Sequence, residues 1–145
     1  MLRRFVRAEL TGLLSETDVK YGFTRTVNLP YDAAIQRVTE ELRKQGFGVL
    51  TSIDVKETMK QKLGVEFTKY AILGACNPPL AHQALEAEKN IGLLLPCNVI
   101  VYEHEGQTVV GAIDPMMMVP LVGKAELESV AAEVKKRLET VIAAL

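Results

Sequence analysis

A surplus of either charge is missing from this chain. Seventeen Lys and Arg stand against eighteen Asp and Glu, a net charge of −1. No field is present to attract nucleic acid or an anionic lipid surface, so neither is expected as a partner. Long apolar runs are missing too. Stretches such as Ile91 to Leu95 fall far short of the ~20 residues that span a bilayer. Arg3, Arg4 and Arg7 make the N-terminus basic, but no continuous apolar region follows as it would in a secretory signal. The expected address is cytoplasmic. Cysteine is scarce: Cys76 and Cys97 are too few for a disulfide framework and read as free thiols in a reducing compartment. The only histidines are His82 and His104, without metal spacing. No Ser-His-Asp order is recognisable. Gly46 and Gly48 precede a strand rather than a helix, so no phosphate-binding loop forms there. No cofactor is expected.

The chain also lacks repeats, low-complexity tracts and linkers, which leaves one domain over residues 1–145. Its 48% hydrophobic and 24% charged residues are an ordinary globular mixture. A chain of this length buries roughly 68–70% of its unfolded surface, enough for an unaided core.

Residues Met1 to Ser15 read as an amphipathic helix, with Leu2, Phe5, Val6, Leu10, Leu13 and Leu14 spaced by threes and fours. Tyr21, Phe23 and Val27 alternate as a first strand. Arg25 shares their parity and calls for a carboxylate partner or a local turn to solvent. Pro30 opens a helix with Tyr31, Ile35, Val38 and Leu42 inside, stopped by Gly46. Phe47, Val49, Thr51, Ile53 and Val55 make a second alternating row. Asp54 and Glu57 have capping-box spacing before a short helix. Its inner residues are Val55, Met59 and Leu63, and its outer face carries Lys56, Lys60 and Lys62.

Tyr70 to Cys76 is apolar on both faces and reads as a central strand. Asn77-Pro78-Pro79 then starts a third helix, asparagine as N-cap and proline at the first position. Pro96 bounds a fourth strand, Cys97 to His104. Glu105-Gly106 turns the chain into a fifth, Gln107 to Asp114. The final helix carries a long core stripe from Leu127 to Leu145.

The stretch from Tyr70 to Tyr102, YAILGACNPPLAHQALEAEKNIGLLLPCNVIVY, resembles the signature of the domain of unknown function 302 family. Gly46-Phe47-Gly48-Val49-Leu50-Thr51 and Asp114-Pro115 match its pattern as well. The resemblance implies an α+β fold of TATA-binding-protein-like class: strand, helix, four antiparallel strands, helix, with inserted short helices. Residues 20–145 are the family domain and residues 1–19 an extra N-terminal helical extension. It also implies a homodimer, and no activity. Strand–helix–strand alternation by itself suggests parallel pairs with right-handed crossovers; the resemblance implies a meander of strands two to five instead.

One constellation is able to carry chemistry. Cys76 immediately precedes a helix start, where free N–H groups and the helix dipole lower a thiol pKa and hold anions. In the antiparallel arrangement Cys97 lies beside it, within about 10 Å. Such a pair is a dithiol redox couple, a Cu(I)-type site helped by Met116, Met117 and Met118, or two inert core thiols. The candidate ligand-binding residues are Cys76, Asn77, Cys97, Arg25 and Lys60. The leading expectation is a non-catalytic homodimeric cytosolic domain binding a small-molecule ligand or a protein partner. The alternatives are a thiol-based function at Cys76 and Cys97, or an enzyme with a site near Cys76 and Asn77.

Overall fold

The computed structural model describes residues 19–145, so the amphipathic N-terminal stretch lies outside the described residues. Five strands form one antiparallel sheet: β1 Gly22–Val27, β2 Gly48–Asp54, β3 Tyr70–Cys76, β4 Cys97–His104 and β5 Gln107–Ile113. Their order is β1-β5-β4-β3-β2. Strands two to five therefore make a meander, and β1 adds to the outer side of β5. The helices are α1 Tyr31–Lys44, α2 Val55–Leu63, α3 Pro78–Ala87, α4 Met118–Val122 and α5 Glu126–Ala143, with 3-10 turns at Lys89–Leu94 and Pro115–Met117. This is the α+β order the resemblance implies. The strand–helix alternation misleads because α2 and α3 are excursions between antiparallel neighbours, not crossovers.

One face of the sheet holds the core. Ala71, Leu73 and Ala75 of β3, Val99 and Val101 of β4, and Val110 of β5 are buried under Ala34, Val38 and Leu42 of α1 and Leu138 and Val141 of α5. Each fully buried Val or Leu contributes about 1.5–3 kcal/mol. The chain leaves α1 through Gly46, whose φ of +84° suits glycine. The opposite face gives neither core cluster its Ile53, Ile72 or Ile100. Register places these three side by side across β2, β3 and β4, next to a stacked Tyr70–Tyr102 pair with centroids 5.1 Å apart.

The second strand departs from its expected single row. Leu50 is a bulge between the pairs Val49↔Ala75 and Thr51↔Gly74. The extra residue shifts the two-residue period by one. Phe47 and Val49 thus join the core, while Thr51 and Ile53 turn to the other face. Gly74 makes room there: a Cβ on it would overlap Thr51 Oγ1 and approach Pro96 Cγ to 2.8 Å. Two smaller expectations also fail. Asp54 Oδ1 accepts from the Glu57 N–H at 2.9 Å, but Glu57 reaches forward to Gln61 and does not close the box. Helix α2 buries nothing fully, and Leu63 is exposed: α2 touches β2 and β3 but gives no residue to either core cluster.

Gly74→Ala is expected to destabilise the fold by about 1–3 kcal/mol through overpacking. Gly48→Ala, where an added methyl meets nothing within 4 Å, should leave stability nearly unchanged. The midpoints of urea denaturation measure both.

Candidate functional site

Where β2 begins, β3 ends and β4 begins, the sheet meets α3 and α5 around a cavity of about 330 Å³. It runs along the seam between two core clusters. Phe47, Ala75 and Val134 belong to the main cluster, Ala84, Ile91 and Leu127 to a smaller one, and Val130 packs against both. The volume stays open because small side chains line the seam: Ala75, Ala81, Ala84 and Ala131. Exposure marks the mouth. Leu50, lifted by the bulge, is 68% exposed, and Cys76, Ala81, Leu85, Leu95 and Pro96 are half-buried. Ile91, Cys97, Pro115 and Leu127 form the depth. Among the described residues no charged side chain lines the cavity; its polar side chains are Thr51, Asn77 and the two thiols.

Three of the five residues expected at a site meet here: Cys76, Asn77 and Cys97. Asn77 is buried and caps α3 as expected. Its Oδ1 accepts from the Leu80 N–H at 3.3 Å, and its Nδ2 donates to the Gln45 carbonyl at 3.3 Å. Accounting for the start of α3 removes the expected anion site. Pro78 and Pro79 have no N–H, the Leu80 N–H is held by Asn77 Oδ1, and the Ala81 N–H by the Asn77 carbonyl at 2.8 Å. None of the first four residues of α3 leaves an amide for an anion or a thiolate.

Ala75 faces Cys97 in the ladder. Cys76, one residue on, thus has its Cα about 6 Å from that of Cys97 by strand geometry. Both thiols are free. Successive strand residues point to opposite faces, so the two side chains diverge. Burial, with the neighbouring Cys76 adding to it, pushes the Cys97 thiol up to about 11. A thiol in that state is a poor nucleophile and a poor metal ligand, since both roles need the thiolate. Of the three methionines only Met118 lines the cavity, and Met117 packs in the smaller cluster. The described residues contain no group of three or more His, Cys, Asp or Glu placed to hold a metal.

Arg25 and Lys60 stand elsewhere. Arg25 does not turn to solvent or meet a carboxylate. Its Nη1 donates to the carbonyls of Ile142 and Ala143, at 3.0 and 2.9 Å. The end of α5 lies over this strand, and its leftover carbonyls are what a guanidinium on the buried side satisfies. Lys60 is exposed on α2, which follows the far end of β2. Arg137, not singled out in the sequence, matters more: its Nη1 donates to the Gln45 carbonyl at 3.1 Å and its Nε to Glu133 at 2.8 Å. Its position in the second half of the last helix reads as dipole compensation, which hides this long-range bond.

The domain of unknown function DUF302 matches residues 23–145. The chain belongs to the DUF302 family. An uncharacterised conserved DUF302 protein from Bacillus stearothermophilus has a similar crystal structure, with a TM-score of 0.81 and 33% identity over 86% of this chain and 98% of that one. No curated protein matches the chain. The described residues include no helix long and apolar enough to cross a membrane.

The thiols of this DUF302 domain should differ in reactivity. At pH 8, iodoacetamide is expected to label Cys76, half-buried at the mouth, and to reach Cys97 only after unfolding. Mass spectrometry of the labelled peptides reads both. The pH dependence has a definite sign: the folded value of Cys97 is raised from 9.0 to about 11. The unfolded chain therefore releases this proton first, and stability falls as pH rises from about 9 to about 11. Cys97→Ala should flatten that part of the stability curve.

Proposed function

We propose that this DUF302 domain is a non-catalytic, homodimeric cytoplasmic domain that binds a small apolar ligand in the cavity at the end of its sheet. The cavity carries the reading. At about 330 Å³ it lies at the small end of ligand sites, which run roughly 300–1,000 Å³. At about 30 Å³ per water-sized group it holds on the order of ten non-hydrogen atoms. Binding is favoured over chemistry because the polar groups present are committed or quiet. Asn77 is occupied in capping, and Cys97 is held as the neutral thiol. The exposed Leu50 and the gap-lining alanines leave room where a ligand would enter.

The homodimer rests on the other face of the sheet. Ile53, Val65 and Phe67 are 47%, 44% and 43% exposed, close to the Tyr70–Tyr102 stack. Apolar surface of this kind, left out of the core, suits a self-complementary contact. The balanced charge and the two unpaired thiols suit a reducing compartment.

Naphthalene, with ten carbons, is a fitting probe. In a protein-observed NMR titration it should shift amides of α3 and α5, and Ala81→Trp at the mouth should abolish the shifts. Unchanged spectra at saturating naphthalene would sink the reading. Separately, sedimentation equilibrium should give twice the 16.0 kDa chain mass, and Ile53→Glu should weaken association at least about tenfold, the effect of burying an unpaired charge. A monomer at micromolar concentration would remove the dimer.

A further inference from the structure

We infer that the cavity selects an uncharged, mainly aliphatic ligand carrying one hydrogen-bond acceptor, seated against the Asn77 amide, and discriminates against a carboxylate of the same length. This rests on the cavity being a binding site and adds the chemical class of what it binds.

Polarity in the cavity is segregated. Cys76, Asn77 and Cys97 lie where β3 ends and β4 begins, and Thr51, at the middle of β2, stands opposite Gly74 near Pro96, whereas the wall formed by α3 and α5 presents only Leu, Ala and Val. A bound molecule is thus apolar along its length and polar at one end. The character of that end follows from which donors remain. Asn77 is only 5% exposed. One Nδ2 proton goes to the Gln45 carbonyl, and the other has no partner among the described residues. A buried N–H without an acceptor costs about 1–3 kcal/mol, and a ligand oxygen that accepts from it recovers that cost. The thiol of Cys97 adds a weak neutral donor.

A negative charge finds no such reception. No cation lines the cavity among the described residues. Arg137, the guanidinium nearest Asn77, is engaged by the Gln45 carbonyl and Glu133. The two prolines and the bonds to Leu80 and Ala81 leave the first four residues of α3 no amide to offer. Burying an unpaired carboxylate is far more costly than burying a ketone or an alcohol.

The test is a matched series on the full chain at pH 8: octane, 2-octanone and octanoate, titrated by NMR. 2-Octanone should bind about tenfold more tightly than octane, the equivalent of one neutral hydrogen bond. It should exceed octanoate by at least as much, and it alone should shift the Asn77 side-chain NH₂ resonance. Asn77→Ser keeps a capping oxygen and should erase the preference for the ketone over octane. Octanoate binding as tightly as 2-octanone would overturn the inference while leaving the cavity a ligand site. Equal affinity for octane and 2-octanone, with a silent Asn77 resonance, would do the same. Failure of all three to bind would overturn the binding reading itself and this inference with it. If Asn77→Ser does not fold, the Asn77 resonance in the native protein decides.

Discussion

The carbonyl oxygen of Gln45, left over where α1 ends, accepts one hydrogen bond from the Asn77 amide and another from the Arg137 guanidinium. Three separate parts of the chain are tied by it: the end of α1, the junction of β3 with α3, and the middle of α5. A carbonyl at a helix C-terminus needs donors from outside the helix, and here both come from more than thirty residues away. The contact also requires Gly46. A Cβ there would lie 3.0 Å from Asn77 Nδ2 and 3.3 Å from Arg137 Nη1, and φ is +84°. Glycine thus serves both as helix terminator and as the space through which two side chains reach the carbonyl.

Because that junction fixes where α3 departs from the sheet, it also fixes the seam between the two core clusters. Protein interiors normally close such seams to the density of an organic crystal. Here alanines stand on several sides, and the 3-10 turn Lys89–Leu94 brings Ile91 in as a floor. The cavity is a product of short side chains held on rigid elements, and its shape depends on a polar contact at its rim.

Much of this was legible beforehand. Alternation and punctuation mark all five strands and the principal helices of the described residues, and Asn-Pro-Pro marks the capped start of α3. The nearness of the two thiols followed once the strands were known to be antiparallel. What escaped was long-range or one residue out of phase. Arg25 was visible as an oddity, but its partners are backbone carbonyls at the far end of the chain, which no residue pattern marks. The bulge at Leu50 leaves the alternating pattern intact in letters while reversing its facing. The cavity was invisible because a line of sequence shows which residues are small, not which of them face one another across a gap.

The same bulge has a bearing on colony-forming errors of sheets. An open sheet has two unpaired margins, and each is a template for another chain. Among the described residues β2 is such an outer strand. At the β2 margin the irregular backbone around Leu50 breaks the regular ladder that an incoming strand would need. Strand β1 runs against β5 without a register shift over Gly22–Val27, and Arg25 ties it to the end of α5. Runaway strand addition, and with it fibre growth, is therefore resisted on the β2 side by the geometry of the strand itself.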